Sequence, residues 1–63
     1  MWYLYDRING GKPRYTGHKS PQREKLTDMV YKDYGYRGFV NTEWAEVKPG
    51  VEVIYSNDPD LQG

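Results

Sequence analysis

The first ten residues constrain the fold most strongly, because a strand-like run is followed at once by a tight-turn signal. Met1–Ile8 alternates with a period of two and carries large side chains on both faces. One face holds Trp2, Leu4 and Ile8, and the other holds Tyr3, Tyr5 and Arg7. Asn9-Gly10 then favours a hairpin turn, because both residues tolerate a positive φ. We therefore expect a β-hairpin whose first strand is covered on both sides.

The return strand of this hairpin is predicted over residues 12–16. Pro13 has no backbone N–H to donate to a neighbouring strand, so an edge position is expected. Gly17 is expected to end the strand.

One helix is predicted over residues 21–34. Ser20 is a favourable N-cap, and Pro21 is favourable as the first helical residue. Gly35 is expected to close the helix in a left-handed conformation. Positions spaced as on one helix face form an apolar stripe: Leu26, Met29, Val30 and Tyr34. This stripe should pack on the sheet.

The last third of the chain predicts a second hairpin. Residues 48–50, Lys-Pro-Gly, indicate a turn, and residues 51–55 indicate the last strand. Residues 36–47 suit either one strand or a strand with a short turn. The predicted class is therefore α+β in the order ββαββ, an antiparallel sheet of three or four strands with one helix on one face. Residues 1–56 are the predicted domain, and residues 57–63 a frayed tail.

Composition limits how so short a chain can be stabilised. It has 63 residues, no Cys and a single His, which excludes disulfides and argues against a structural zinc. Seven Tyr, two Trp and one Phe indicate an aromatic core and argue against disorder. Because a small domain without such links gains from sharing a core, we expect a homodimer in which the first strand or the last supplies an edge or an aromatic face.

The sequence indicates neither a membrane span nor a signal peptide. No apolar run approaches the roughly 20 residues needed to cross a bilayer. The N-terminus lacks a basic segment followed by an apolar one. With no Cys, a cytoplasmic location is expected.

No motif indicates catalysis, a cofactor or a metal. His18 and Ser20 lie two residues apart, but no acid is indicated as a third member of a triad. Asp58 and Asp60 fall in the predicted tail, where nothing rigid would hold them as metal ligands. Gly10-Gly11-Lys12 lacks the strand–loop–helix setting of a phosphate loop. We therefore expect a protein that is not an enzyme.

A basic segment over residues 12–25 keeps nucleic-acid binding open as an alternative. It interleaves aromatic rings with five cations: Lys12, Arg14, Lys19, Arg23 and Lys25. Such a mixture suits phosphate neutralisation with base stacking. The net charge is nevertheless zero. Residues 1–37 hold eight Lys/Arg and four Asp/Glu, a net of +4, and residues 38–63 hold one Lys and five Asp/Glu, a net of −4.

The first 26 residues resemble the opening of GIY-YIG endonucleases. The likeness rests on Trp2-Tyr3-Leu4-Tyr5, a Gly-Gly-Lys turn, Tyr15-Thr16-Gly17 and a helical Arg. It implies a nuclease site in which Tyr3 or Tyr5, Tyr15 and Arg23 take part. The chain departs from that family in a shorter interval from Tyr15 to Arg23 and in the lack of a later helix carrying the metal-binding Glu. A reduced nuclease domain is therefore a further alternative.

The favoured function is a non-enzymatic protein-interaction module. One helix cannot cover both faces of an aromatic-rich sheet, and Tyr and Trp are common at protein contacts. The size is typical of small inhibitors or adaptors, including phage host-takeover and anti-defence proteins. The predicted partner-binding residues are Tyr3, Tyr5, Arg7, Arg14, Tyr15, Lys19 and Arg23.

Overall fold

The computed structural model describes residues 1–61 and has the elements in the order ββαββ. The strands are β1 (Trp2–Ile8), β2 (Arg14–Ser20), β3 (Ala45–Lys48) and β4 (Val51–Ser56), and the helix is α1 (Arg23–Tyr34). Neighbouring strands are antiparallel, and the sheet order is β2-β1-β4-β3. The predicted α+β class, with one helix on an antiparallel sheet, is confirmed.

The first hairpin forms at the predicted turn, with a positive φ of 50° at Asn9 and 70° at Gly10. As predicted, the return strand β2 lies at an edge of the sheet. It begins after Pro13, however, and it does not end at Gly17. The register with β1 shifts between Tyr3 and Tyr5, and Gly17, at φ 92°, lies in this irregularity. The glycine therefore allows a bulge inside the strand rather than ending it.

The start of α1 differs from the prediction. The helix begins at Arg23 rather than Pro21, and its N-cap is Gln22. Ser20 is instead the last residue of β2, and its Oγ accepts a bond from the Gln22 N–H at 3.1 Å. The hydroxyl thus supports the turn before the helix, a local bond that serine forms readily. No helix within residues 1–61 is long and apolar enough to cross a membrane.

The core lies between α1 and one face of the sheet. Its most buried members come from β1, α1, β4 and the loop after α1: Leu4, Leu26, Val30, Val40, Val53 and Tyr55. Met29 and Tyr34 pack beside them, so the predicted helical stripe is confirmed. Gly35 closes the helix at φ 71° and donates its N–H to the Tyr31 carbonyl at 2.8 Å, also as predicted.

Within the ambiguous segment 36–47, only residues 45–47 are strand. The segment is therefore not one continuous strand, which favours the alternative of a strand with a turn. Residues 35–44 form a loop that packs against the end of β4. Val40 of this loop is buried, and the Asn41 carbonyl accepts a bond from the Tyr55 N–H at 2.9 Å. The loop is therefore fastened at its middle, with residues on either side of Val40 at the surface.

The C-terminal segment is placed differently from the predicted tail. Residues 57–61 turn back towards the face of the sheet that α1 leaves open. The Asp58 N–H donates to Ser56 Oγ at 3.0 Å, and the Asp60 N–H donates to Asp58 Oδ1 at 2.9 Å. These local bonds form a turn where we expected fraying. Residues 62 and 63 lie outside the described residues.

Candidate protein-contact surfaces

The face of the sheet away from α1, here called the open sheet face, carries the aromatic side chains predicted from β1. Alternation along β1 places Tyr3, Tyr5 and Arg7 on this face, opposite the core residue Leu4. The Tyr15 ring of β2 joins them, with its centroid 5.9 Å from that of Tyr3 and 5.6 Å from that of Tyr5. The sheet therefore brings the three predicted tyrosines together.

Tyr5 requires a correction, because we predicted that it would contact a partner. Its exposed fraction is 0%. Its hydroxyl donates to the Asp58 carbonyl at 2.6 Å and accepts from the Leu61 N–H at 3.2 Å. The C-terminal segment thus occupies the position we had expected a partner to take. Tyr5 stabilises the fold, while Tyr3 and Tyr15 keep part of their surface exposed.

The charge of Arg7 is compensated within the chain. Its Nε donates to Glu52 Oε1 at 2.9 Å across the β1–β4 pair, and its guanidinium lies 4.1 Å from the Trp44 ring centroid. An arginine held between a carboxylate and an indole has little charge left for another chain. The predicted role of Arg7 in partner binding therefore loses much of its electrostatic basis.

Arg14 lies on the side of the sheet that faces α1, and it too is paired. Its Nε donates to Asp6 Oδ1 at 3.1 Å, and the Tyr34 hydroxyl donates to Asp6 Oδ2 at 3.0 Å. Burial, together with the hydrogen bond to the Asp6 carboxylate, raises the pKa of Tyr34 to about 12. This carboxylate therefore ties β1, β2 and the end of α1 together.

The predicted basic segment is not gathered into one patch. Lys19 is paired with Tyr3 in the β1–β2 ladder and lies on the open sheet face. Arg23, in the first turn of α1, lies 5.3 Å from the centroid of the Trp2 ring and donates to Asn41 Oδ1. Alternation in β1 places Trp2 on the opposite face from Tyr3. Residues that we predicted together are thus divided between the two sides of the sheet.

This division also bears on the likeness to GIY-YIG endonucleases. The tyrosines that the resemblance implies lie on the open sheet face, whereas Arg23 contacts Trp2 on the helix side. Within residues 1–61, no group of three or more His, Cys, Asp or Glu side chains could hold a metal ion. The implied nuclease tyrosines therefore lie together, but Arg23 is on the other side of the sheet.

His18 and Ser20, the other candidate catalytic pair, have different hydrogen-bond partners. His18 Nε2 lies 2.7 Å from Asp33 Oδ2, which links the bulge of β2 to the end of α1. Ser20 Oγ instead accepts the Gln22 N–H. His18 thus has an acid, but no hydrogen bond between His18 and Ser20 is present among the described residues.

The most exposed aromatic side chain lies in the segment 36–47, which we predicted as either one strand or a strand with a short turn. Phe39, in the loop after α1, is 78% exposed. It forms one wall of a cleft of about 410 Å³, here called the Phe39 cleft. The side chains that line it come from α1, the loop and β4: Arg23, Glu24, Thr27, Arg37, Phe39 and Tyr55. A second cleft, of about 380 Å³, separates Phe39 from Trp44.

An arginine and a tyrosine that we had not singled out are in contact with each other, and the arginine lines the Phe39 cleft. Arg37 donates from Nη2 to the Tyr31 hydroxyl at 2.8 Å, and its guanidinium lies 4.6 Å from the Tyr31 ring centroid. Both side chains are exposed. Gly35 and Gly38 flank the start of this loop in the sequence, a signal of irregular backbone that could have argued against a strand there.

Comparisons of the chain with protein-family models, with curated proteins and with solved structures gave no match.

Proposed function

We propose that this chain is a non-enzymatic protein-interaction module that binds a partner protein through the Phe39 surface, formed by Tyr31, Arg37 and Phe39. The observation that carries the proposal is the 78% exposure of Phe39 in a loop whose neighbour Val40 is buried. The buried Val40 anchors the loop and so holds the Phe39 ring in water. This exposure costs solvation free energy, and the ring contributes nothing to the core.

The composition of this surface is that of a protein-binding site. Binding free energy at protein interfaces is concentrated in a few Trp, Tyr and Arg side chains, and aromatic residues are enriched there. The Arg37–Tyr31 contact holds both side chains in place before binding, which reduces the entropy that association would cost. The clefts on either side of Phe39 leave room for partner side chains.

Tyr3, Tyr15 and Lys19 form a second area that a partner could contact, on the open sheet face. We rank it below the Phe39 surface, because Tyr5 beneath it is already covered by the C-terminal segment. Because Tyr5 is covered, the open sheet face offers a partner fewer of the predicted contact residues.

The nucleic-acid alternative has less support. Arg14 is paired with Asp6, and Lys19 lies on the other side of the sheet from Arg23. A phosphate backbone is bound best by a continuous row of uncompensated cations. The basic segment does not form such a row among the described residues.

We further propose that the module is an inhibitor or adaptor that works in the cytoplasm and that the phage host-takeover and anti-defence class should be tested first. The size of the chain is the reason for this choice, since a surface of this extent can block a partner without chemistry of its own. Partner identification in phage-infected cells tests it.

We also propose a homodimer, with one revision. We expected the first strand or the last to supply an edge or an aromatic face, but β1 and β4 are both central strands, so neither can supply an edge. The edges are β2 and the four-residue β3, whose register with β4 is irregular. Short edge strands pair poorly, so the seven-residue β2 is the better contact. Light scattering at tens of micromolar is expected to give twice the chain mass of 7.4 kDa, and a mass of one chain would contradict the dimer.

The proposal is tested by affinity capture from nuclease-treated lysate with wild type, Phe39→Ser and the matched control Ile8→Ser. Ile8 is a suitable control because it too is an exposed apolar residue, at 41%, and lies outside the Phe39 surface. We expect Phe39→Ser to lose a captured protein that Ile8→Ser retains, with both variants melting as wild type does. Equal capture by all three proteins would exclude the Phe39 surface.

A further inference from the structure

The four arginines of the chain fall into two classes according to what they contact. Arg7 and Arg14 form ion pairs with Glu52 and Asp6. Among residues 1–61, Arg23 and Arg37 instead have only neutral hydrogen-bond partners, the Asn41 amide oxygen and the Tyr31 hydroxyl. No carboxylate oxygen within residues 1–61 lies within 4.0 Å of either guanidinium. Both of these arginines line the Phe39 cleft.

We infer that the Phe39 cleft binds an acidic segment of the partner protein, with a carboxylate at Arg23 and Arg37 and an adjacent apolar side chain against Phe39. This inference rests on the proposed function and names the chemistry of its partner.

The two guanidinium groups are oriented without being neutralised. Arg23 lies over the Trp2 ring at 5.3 Å, and Arg37 lies over the Tyr31 ring at 4.6 Å. An aromatic face and a neutral acceptor fix the plane of a guanidinium but leave its net charge of +1 in place. The remaining N–H groups can then donate to a carboxylate in the bidentate geometry that arginine favours.

The rest of the lining limits what else can bind. The cleft floor includes Tyr55, whose hydroxyl already shares a hydrogen bond with Thr27 Oγ1 at 3.1 Å. Glu24 also lines the cleft and is exposed. Its charge would repel a dense row of acidic groups, so the bound segment should carry one or two carboxylates beside an apolar residue.

The same lining disfavours a nucleic acid. A phosphate backbone presents a charge at every nucleotide, and its affinity grows with the number of cations that meet it. Here two uncompensated arginines face one glutamate, and Glu43 lines the neighbouring cleft beyond Phe39. A protein segment with one or two carboxylates matches this arrangement better.

The test selects binders of the intact chain from a random peptide library displayed on yeast. The selected peptides are then synthesised, and their affinities are measured by fluorescence anisotropy at physiological salt. We expect the peptides to share an Asp or Glu next to an apolar residue. Arg37→Gln should weaken their binding roughly tenfold or more, as loss of a charged hydrogen bond does.

Three variants separate the acidic contact from a general effect of charge. Lys12→Gln removes one exposed cation outside the cleft and is expected to leave the affinity within about twofold, since screened distant charges contribute little. Glu24→Gln removes the opposing charge and is expected to tighten binding. Arg37→Lys keeps the charge and should retain part of the affinity that Arg37→Gln loses. Melting curves confirm that each variant is folded.

The outcomes also distinguish this inference from the proposed function. Peptides that lack acidic residues but lose binding in Phe39→Ser would overturn the acidic partner and leave the protein-binding surface standing. Peptides that bind Phe39→Ser as they bind wild type would overturn both. A fluorescein-labelled DNA oligonucleotide that binds more tightly than the acidic peptides, and is weakened by Arg37→Gln, would assign the cleft to nucleic acid instead.

Discussion

The contact between Tyr5 and the C-terminal segment can be tested by removing a single oxygen atom. Tyr5→Phe deletes the hydroxyl that donates to the Asp58 carbonyl at 2.6 Å and accepts from the Leu61 N–H at 3.2 Å. The phenyl ring remains, so the packing of this fully buried side chain against the sheet should be retained.

The expected loss of stability follows from these two bonds. A net intramolecular hydrogen bond contributes about 0.5–1.5 kcal/mol, so loss of both would cost about 1–3 kcal/mol. Asp58 is exposed and Leu61 half-buried, so water can reach the freed groups. The lower half of the range therefore applies, about 1–2 kcal/mol. For a domain of this size, each kcal/mol lowers Tm by roughly 4–8 °C.

Thermal and urea unfolding measure the change, with Tyr3→Phe as the matched control. Tyr3 is half-buried on the same face, and residues 1–61 provide no hydrogen-bond partner for its hydroxyl. We expect Tyr5→Phe to lower Tm and to speed hydrogen exchange at the Leu61 amide, and Tyr3→Phe to do neither. Unchanged Tm and unchanged exchange in Tyr5→Phe would refute the argument that the segment covers this face.

Two further predictions concern the helix side of the sheet. Leu26→Ala should cost about 2–5 kcal/mol, as large-to-small changes in a core do, because Leu26 is 1% exposed between α1 and the sheet; a melting curve like that of wild type would place Leu26 outside the core. The pKa of Tyr34 is raised from 10.0 to about 12, so the folded state favours the neutral phenol. The stability that Tyr34 contributes through this shift is therefore complete below pH 10 and is lost between pH 10 and 12. Between pH 10 and 12, the free energy of unfolding should fall less in Tyr34→Phe than in wild type. An equal fall in the two proteins would contradict the raised pKa of Tyr34.

Local signals were sufficient for the regular elements of the fold. Asn9-Gly10 predicted the first turn, the apolar spacing of α1 predicted its buried face, and Gly35 predicted its end. Each depends on the conformational preference of a few neighbouring residues, so each is readable from the sequence.

Two of the features that went wrong, at Tyr5 and at Gly17, depend on contacts that are distant in sequence. Tyr5 looked available because its cover comes from Asp58 and Leu61, at the other end of the chain. Gly17 looked like a strand end because nothing local announces that β2 resumes beyond a bulge. Thr16 supports this bulge by donating from Oγ1 to the Leu4 carbonyl of the neighbouring strand. A period-two pattern cannot detect such an interstrand bond.

The candidate site was predictable only in its chemistry. The sequence indicated that aromatic and arginine side chains would form a protein-contact surface, and Arg23 does line the Phe39 cleft. It did not single out Phe39, because Phe, Val and Thr at residues 39–42 suit a strand as well as a loop. What places Phe39 at the surface is the anchoring of the loop through Val40 and Asn41.

The most direct measurement of the central claim is photo-crosslinking from position 39 in the cells that express the chain. Phe39→p-benzoylphenylalanine keeps an aromatic side chain at the exposed position, and the same substitution at Ile8 is the control. We predict a covalent adduct with a distinct protein from position 39, absent from position 8 and diminished by Arg37→Gln. Adducts of equal yield from both positions, or none from position 39, would contradict a protein-binding function of the Phe39 surface.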